Sequence, residues 1–600
     1  MELSTRVQRI YASPVGPLEH LQDLVNGEGD YNTTRYKEAD FLELVQPSHF
    51  WHTSCLNPAN RIDLFCEDFP HEWRVHCTAS SGRRIMVTPS FQLCIPPLQI
   101  YVSIPDQHNW PINLRSSLEA GASFHIRDTR CRALNINRYI TTRLSLWSSK
   151  IDDFEAFYRS LPFATTIRLK DFNGGSMYQD FDVEYSDLEG FLGVKDLWAM
   201  WNIPLERQPT LIPIHHLKFR SQVHESVSIV TLDNSPDSIW MAMKSTIESP
   251  GLLYHEIKTL LSLPEHTHVM GRPYYLVTDI EPLKPAAKIV GFVMEFLPRG
   301  SLAEALIHPL YNPGKQLSAS LRWALQITST LIHLKDDSNY TYTDLKTDNI
   351  MIRDVNGDLG DAVLVDFEQN GTANSWSAPE IYHVETLELA SRIVSDFEKK
   401  QQYQKLLLDL TGFEKNFSCR TYCNPLHGHN IAWASLTPEE KEAAQVFALG
   451  KILFCIFECV GSATIQIALS MPQEQSRVEF PHFLKTPIAL RPLILDCTQG
   501  ARELYNKDIP ILRRVDDRLF GHLRGITFET ELQETVEASR AYWLSRINQM
   551  ERHVNYRLRL RKGQGHGQGK DESSAYARPT LQLVLQTLQA FNFTEQYISV

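Results

Sequence analysis

The most informative stretch of the chain carries three polar residues whose types and spacing suit group transfer. Asp344, Lys346 and Asn349 fall at +0, +2 and +5 of one loop, ahead of a short apolar strand, and Asp366 ends a second apolar strand seventeen residues after Asn349. A loop carboxylate beside a lysine can orient a hydroxyl group while the lysine offsets the charge of a transferring phosphoryl group. Asn349 and Asp366 offer hard oxygen ligands of the kind that bind Mg²⁺.

Further segments are expected to position these residues. An apolar strand ends in a single lysine, Lys244, and a helical segment carries Glu256 twelve residues later. A second apolar run, 289–300, predicts another strand, and 321–335 has the periodicity of a helix that leads into the polar loop. These segments supply the strands and helices that would surround the loop.

The order of these motifs resembles that of the eukaryotic protein kinase superfamily, serine/threonine type. The motifs are D-L-K-T-D-N at 344–349, D-F-E-Q at 366–369 and W-S-A-P-E at 376–380, and together they resemble those of divergent kinase-like proteins of filamentous fungi. Lysine two residues after the loop aspartate is typical of the serine/threonine class. The resemblance implies an α+β fold with two lobes, a small β-rich lobe over about 205–297 and a large helical lobe over about 298–600.

The resemblance also implies roles for individual residues, with ATP and Mg²⁺ as cofactors and a protein substrate as partner. In these roles, the lysine–glutamate pair holds the phosphates of ATP, and Glu295 and Leu297 offer backbone groups to adenine. The assignments are catalytic for Asp344 and Lys346, ATP-binding for Ala242, Lys244, Glu256, Glu295 and Leu297, Mg²⁺-binding for Asn349 and Asp366, and structural for an ion pair between Glu380 and Arg578.

The sequence departs from the kinase pattern at several positions. The stretch 220–228, in the place of the glycine-rich phosphate loop, contains no glycine, so side chains there should weaken or reshape phosphate binding. Glu368 replaces the glycine of D-F-G, and Tyr342-Thr343 replaces the His-Arg that normally precedes the catalytic aspartate. Gln445 replaces an aspartate that normally supports the catalytic loop.

The segment after Glu368 is short, with nine residues before Ala378. Because the arginine that usually docks a phosphorylated activation loop is replaced as well, we expect no switching by phosphorylation there. A phosphorylation at Thr372 or Ser375 that raises turnover would contradict this expectation.

The rest of the chain predicts a second unit and two insertions. Residues 1–204 alternate short apolar runs with Pro, Gly and Asn, and predict an unassigned mixed α/β domain with helices near 152–161 and 187–201. Residues 202–213 carry three prolines and predict a linker. Within a kinase-like domain of 205–600, the parts without a counterpart in the family are insertions at about 381–444 and 500–576, with a charged helix at 527–560 and a disordered segment at 561–574.

Composition excludes some classes of protein. A net charge of −12 and a pI near 6.0 argue against a nucleic-acid-coating protein or a polybasic membrane binder. No secretory leader is visible, and the longest apolar run, 447–471, is interrupted by polar residues, which favours a buried helix over a membrane span. Ten cysteines without a leader indicate reduced thiols and a cytoplasmic location, with the nucleus as the alternative.

Three functions stay open from the sequence. The first is phosphoryl transfer to Ser/Thr hydroxyls of proteins, and the second is a pseudokinase scaffold that binds partners through 1–204 or 527–560. The third is a small-molecule kinase, suggested by the short segment after Glu368. Separately, four residues of the first insertion form a weak zinc pattern, for which an ordinary polar loop is the alternative. They are Cys419, Cys423, His427 and His429.

Overall fold

The computed structural model describes 73–103, 135–170, 181–307, 313–463, 482–501, 547–561 and 577–591, with shorter gaps inside several of these ranges, and two short strands near residue 515. The described chain mixes helices and strands, and its strands form four sheets that are mainly antiparallel. This content agrees with the predicted α+β class. Thr372, Ser375, His427 and residues 527–546 and 562–576 lie outside the described residues, so the predictions made for them stay predictions.

The N-terminal unit is a five-stranded sheet covered by two helices. Its strands lie in chain order, and the third and fourth are parallel. The elements are β1 Trp73–Ala79, β2 Arg84–Pro89, β3 Ile100–Ser103, α1 Asn135–Ser148, α2 Phe154–Arg159, β4 Thr166–Leu169 and β5 Phe181–Glu184. Trp73, Leu144 and Tyr158 are buried in its apolar core. The helix predicted near 152–161 is confirmed as α2.

The helix predicted over 187–201 is shorter than expected. It begins at Val194 and ends at Trp201 as α3. Leu188 and Gly190 have φ of 50° and 86°, left-handed values that a right-handed helix cannot contain. Leu197 and Trp201 of α3 are buried in the larger apolar core, with residues from beyond position 205. Packing therefore continues across the boundary predicted at residue 204.

A six-stranded sheet follows, in the order β6-β10-β11-β9-β8-β7. Its elements are β6 Thr210–Pro213, β7 Leu217–His224, β8 Val227–Leu232, β9 Met241–Ser245, α4 Pro250–Ser262, β10 Tyr275–Glu281 and β11 Lys284–Glu295. The linker prediction for 202–213 is partly wrong, because 210–213 pairs in parallel with β10 at the sheet edge. Proline is tolerated at an edge because the edge of a sheet does not need every backbone donor. Helix α4 begins directly after the short β9–α4 connection, as the spacing of Lys244 and Glu256 requires.

The remaining described chain is mainly helical. Its elements are α5 Leu302–Ile307, α6 Pro313–Ser338, β12 Ile350–Arg353, β13 Asp361–Leu364, α7 Pro379–Ile393, α8 Phe397–Thr411, α9 Ile431–Ala434, α10 Pro438–Glu458, α11 Arg491–Cys497, β14 Arg513–Val515, β15 Arg518–Phe520 and α12 Leu581–Ala590. Residues 547–559 are also helical. A 3₁₀ turn at Ile488–Leu490 leads directly into α11.

Helix α10 is the centre of this helical region. Thr437 caps its N-terminus, and Glu440 completes a capping box by accepting the Thr437 N–H. The fifteen residues from Ala444 to Glu458 are buried, as expected for a core helix that other helices surround. Among the residues that the structure describes, no helix is long and apolar enough to cross a membrane.

A half-buried histidine makes stability depend on pH. His553, in the helical segment 547–559, packs against His383 with ring centroids 4.9 Å apart, and burial lowers the pKa of His553 to about 3. Below the usual histidine pKa of about 6.5, the unfolded chain binds a proton that the folded chain does not. The free energy of unfolding should therefore fall as the pH falls from 6.5 towards 3.

The expected size of this effect is about 1.4 kcal/mol for His553 between pH 7.5 and pH 5.5. Urea unfolding should show that the free energy of unfolding falls between the two pH values by about 1.4 kcal/mol more in the parent protein than in His553→Gln. The matched control is His216→Gln, because His216 is exposed. An identical pH dependence in the parent and in His553→Gln would contradict the prediction.

Candidate active site

A buried lysine surrounded by carboxylates lies where the six-stranded sheet meets the helical region. Lys244 Nζ, at the end of β9, is 2.6 Å from Glu256 Oε2 of α4 and 3.5 Å from Glu368 Oε2, and it also contacts Asp366 Oδ1. Only 7% of the Lys244 surface is exposed. The structure thus brings together three residues that the sequence predicted for one site, and adds Glu368.

The charges of this cluster do not balance, because three carboxylates face one ammonium group. Burial by itself would lower the pKa of Lys244, but Asp366, Glu256 and Glu368 outweigh that effect and hold the pKa well above its usual range. Burial, followed by repulsion from Asp366, raises the pKa of Glu368 to about 7. A cation bound here would relieve this repulsion. Among the described residues, the three acids are also the group whose ligand atoms lie close enough together to hold a metal.

The backbone at Asp366 is bent so that its side chain reaches this cluster. Its φ of 66° lies in the left-handed region, which costs a non-glycine residue roughly 1–2 kcal/mol. The next residue, Phe367, is fully buried, and its N–H donates to Glu256 Oε1 at 3.0 Å. The same glutamate therefore holds both Lys244 and the backbone that follows Asp366, which couples α4 to the acidic strand end.

The polar loop after α6 forms a second cluster around Asp344. Lys346 Nζ lies 2.7 Å from Asp344 Oδ2, and Asn349 Nδ2 donates to the same oxygen at 2.7 Å. The other oxygen, Oδ1, is buried and has no hydrogen-bond partner among the described residues. Burial raises the pKa of Asp344, with Lys346 and Asn349 opposing the shift. Asp344 thus has one oxygen fixed by neighbours and one available to accept a proton or hydrogen bond.

The predicted metal ligands occupy different clusters. Asp366 belongs to the acid cluster, whereas the amide nitrogen of Asn349 contacts Asp344. A role for Asn349 in binding Mg²⁺ stays a prediction. Glu368 is the site residue that the sequence analysis missed as a ligand. Its signal was an acid two residues after Asp366, where the kinase pattern has glycine.

Two of the unusual residues support the loop. The Tyr342 hydroxyl donates to the carbonyl of Val365, and the Tyr342 ring lies 5.1 Å from that of Phe367. Gln445 Nε2, on the buried helix α10, donates to the Tyr342 carbonyl at 3.1 Å. The residues that replace the family pattern therefore connect the Asp344 loop, the Asp366 strand and α10.

The other residues predicted to bind ATP lie along the sheet and the chain that leaves it. Ala242 and Leu297 are buried in the larger core, with 6% and 4% of their surfaces exposed. The Glu295 side chain accepts from Arg353 at 3.0 Å and 2.6 Å. Their contact with a nucleotide stays a prediction.

A cavity of about 230 Å³ opens beside Lys244, towards the N-terminal sheet. Its lining includes Lys244, Glu368, Ser226 of the β7–β8 turn and Tyr101 of β3. The N-terminal sheet also contacts the β9–α4 connection through an Arg84–Glu248 ion pair at 2.7 Å. Residues 73–103 therefore contribute a wall beside the lysine, which the sequence did not predict.

The predicted ion pair between Arg578 and Glu380 is present in the helical region. Arg578 Nη1 lies 2.5 Å from Glu380 Oε1, and Nη2 lies 3.2 Å from Oε2. The guanidinium also donates to the carbonyls of Gln499 and Ala443. Because the two side chains are buried and the contact is bidentate, the start of α7 is fixed to the chain just before α12.

Part of the first insertion holds the N-terminal end of α4. Residues 418–426 and 428–430, here called the bridging segment, lie between α4 and the chain after Asp366. The Gly251 N–H donates to the Cys419 carbonyl at 2.8 Å, and His429 Nε2 donates to the Gly251 carbonyl at 3.3 Å. The first contact pairs one of the backbone donors that a helix leaves open at its start.

The bridging segment has further anchors. Trp201 Nε1 of α3 donates to the Tyr422 hydroxyl at 2.9 Å, and Asn430 Nδ2 donates to the Asn370 carbonyl at 3.2 Å. This part of the insertion is therefore packed structure that connects α3, α4 and the chain after Asp366. Among the described residues Cys419, Cys423 and His429 do not form a metal-binding group, which argues against the zinc pattern.

The close approach at Gly251 predicts a cost for any larger residue there. A Cβ at Gly251 would lie 2.8 Å from the Cys419 carbonyl oxygen, whereas one at Gly271 would meet nothing within 4 Å. Gly251→Ala should lower the free energy of unfolding by about 1–3 kcal/mol. The matched control, Gly271→Ala, should change it by less than about 0.5 kcal/mol. Equal unfolding midpoints in urea for the two variants would show that the contact contributes nothing.

No protein-family model matches the chain, and a search of curated proteins returned no similar sequence.

Proposed function

We propose that residues 205–600 form a two-lobed kinase-like domain that transfers the γ-phosphoryl group of ATP to Ser/Thr hydroxyls of protein substrates. The six-stranded sheet with α4 would be the small lobe, and the helical region from α5 onwards the large lobe. The order of motifs along the chain and the two side-chain clusters support this proposal. A cytoplasmic location, suggested by the reduced cysteines, is part of the same proposal.

The arrangement around Asp344 carries the proposal. Its buried Oδ1 has no hydrogen-bond partner among the described residues, while Lys346 and Asn349 hold Oδ2. A carboxylate with one fixed and one open oxygen is suited to orient a hydroxyl and accept its proton. An ammonium group beside it suits the charge that develops on a transferring phosphoryl group.

The proposed transfer accounts for the proton, for the bond that forms and for the bond that breaks. The substrate hydroxyl gives its proton to Asp344 Oδ1 as its oxygen forms a bond to the γ-phosphorus. The bond between that phosphorus and the oxygen bridging to the β-phosphate breaks, and ADP leaves with the bond's electron pair. Lys346 stabilises the equatorial oxygens during transfer.

The acid cluster fits the requirement for a divalent cation. Asp366 and Glu368 would hold Mg²⁺, whose chemistry is to neutralise the phosphate oxygens of ATP. Glu256 would keep Lys244 oriented towards the same phosphates. The excess of carboxylates over ammonium groups is the observation that supports a cation here.

An inactive scaffold is the second candidate, and one contact favours it. Glu368 Oε2 lies 3.5 Å from Lys244 Nζ, where the kinase pattern has glycine and the lysine is left to phosphate. If this contact persists with ATP present, Glu368 competes with the phosphates for Lys244. Binding of Mg·ATP would favour the kinase, and its absence would favour the scaffold.

The test compares binding of Mg·ATP with transfer. The purified chain should show a rise in Tm with Mg·ATP and label a mixed Ser/Thr peptide library. Asp366→Asn should lose both responses, whereas Asp354→Asn, which changes an exposed aspartate paired with Arg299, should keep them. Absence of both responses in the parent protein would favour the scaffold. Labelling of free alcohols or amino-sugars, without labelling of peptides, would indicate a small-molecule kinase.

A further inference from the structure

A second cavity, of about 430 Å³, lies on the other side of α4 from Lys244. It is bounded by α4, by the chain between α6 and the Asp344 loop, and by the region from the bridging segment to α10. Its lining includes Lys258, Ser338, Thr343, Gln369, Trp433 and Lys441. Neither Lys244 nor Asp344 lines it, so it is separate from the candidate active site.

The walls of this cavity hold polar atoms that lack partners. Trp433 Nε1, Thr343 Oγ1 and Ser338 Oγ are buried and have no hydrogen-bond partner among the described residues. Trp433 and Thr343 are only 3% and 5% exposed. An unpaired buried polar group costs about 1–3 kcal/mol. Three such groups on residues that line one space suit a polar ligand there.

The charge in the cavity is mainly positive. Lys258 of α4 and Lys441 of α10 both line it, and neither forms an ion pair with a carboxylate in the described part of the chain. Burial lowers the pKa of both lysines, which shows that their surroundings do not compensate their charge. The acid that lines the cavity, Asp337, lies 2.5 Å from His333 Nδ1.

His255 completes the lining with a different kind of group. Gln369 Nε2 donates to the Thr341 carbonyl, so Gln369 Oε1 is the atom that accepts from His255 Nε2 at 2.7 Å. With Nε2 carrying the proton, the neutral ring has its lone pair at Nδ1, and Nδ1 has no hydrogen-bond partner among the described residues. The cavity therefore offers several donors, two of them cationic, and an unpaired ring nitrogen that can accept.

We propose that this cavity binds a phosphate group, either free or as a small phosphate monoester. A hydrogen phosphate has oxygens for the two lysines, the Trp433 N–H and the hydroxyls, and its own O–H can donate to His255. Charge-assisted hydrogen bonds of this kind are roughly twice as strong as neutral ones. The volume exceeds that of a phosphate ion and lies in the usual range for small-molecule sites, about 300–1,000 Å³.

A ligand here would act on elements of the candidate active site. Helix α4 carries Lys258 on one side and Glu256 in contact with Lys244 on the other. Thr343 directly precedes Asp344, and Gln369 directly follows Glu368. Binding itself does not depend on the proposed phosphoryl transfer, so a binding measurement tests this inference by itself.

The experiment is isothermal titration of the full chain with inorganic phosphate and, separately, with glycerol 3-phosphate. The Lys258→Gln/Lys441→Gln double variant should weaken binding at least about tenfold. Trp433→Phe, which removes only the Nε1 donor, should weaken it less. Lys405→Gln, an exposed lysine on α8, is the matched control. Lys244→Met separates this cavity from the candidate active site and should retain most of the binding that the double variant loses.

The titrations distinguish the two phosphate sources and can overturn the proposal. Tighter binding of glycerol 3-phosphate assigns a phosphate monoester, and equal binding assigns free phosphate. No binding to the parent protein overturns the proposal, and so does binding that the double variant leaves intact. Binding that Lys244→Met abolishes also overturns it, because the phosphate would then occupy the acid–lysine cluster. Circular dichroism of each variant shows that a loss of binding is not a loss of folding.

Discussion

Asp344→Asn should lower the rate of phosphoryl transfer by about 10²–10⁴-fold, the usual range for removal of a general base. The asparagine side chain keeps the shape of the carboxylate but cannot accept a proton at neutral pH. Because Asp344 contacts Lys346 and Asn349 rather than the acid cluster, binding of Mg·ATP should be retained. The measurement is single-turnover transfer at saturating Mg·ATP, together with the nucleotide Kd.

The control for this prediction is Asp348→Asn, which changes a half-buried aspartate of the same loop and should retain most of the transfer rate. Because burial raises the pKa of Asp344, the acid limb of the pH–rate profile should lie above the usual range for aspartate. Transfer that survives Asp344→Asn at its full rate would contradict the role given to this residue.

Arg578→Met should lower the free energy of unfolding by about 3–5 kcal/mol, the cost of leaving one member of a buried ion pair without its partner. Glu380 would keep a charge that is nearly inaccessible to water, and two backbone carbonyls would lose their donor. Adding Glu380→Gln should recover part of the loss, because it removes the isolated charge. Urea unfolding of both variants measures the effect.

The matched control is the exposed ion pair between Lys170 and Asp182, with nitrogen and oxygen 2.6 Å apart. Lys170→Gln should change the free energy of unfolding by at most about 1 kcal/mol, since water already screens that pair. Similar losses in Arg578→Met and Lys170→Gln would show that burial of the Arg578 pair adds nothing.

The local part of the candidate site was predictable from the sequence. Asp344, Lys346 and Asn349 lie within six residues, so their spacing already determines that they share one loop. The strand that ends in Lys244 and the helix that carries Glu256 follow each other closely, and a short connection leaves few arrangements. The strand, the helix and the polar loop could therefore be predicted before any tertiary contact was known.

The features that the sequence did not predict depend on contacts between residues far apart in the chain. Gly251 meets Cys419, and Arg84 meets Glu248, each across more than 160 residues of chain. No local pattern encodes such a pairing. Glu368 was missed for another reason: the kinase pattern has glycine at this position and so predicts no role for a side chain, whereas the Glu368 side chain joins the cluster.

The pairing of Arg578 with Glu380 has a consequence for protein synthesis. The two residues are 198 positions apart, so Glu380 leaves the ribosome long before its partner. At about 5–20 residues per second, that interval is about 10–40 s. During this time the nascent helical region lacks both the arginine and α12, and apolar side chains that α12 later covers are open to other chains. We expect the protein to need chaperones during translation more than after it.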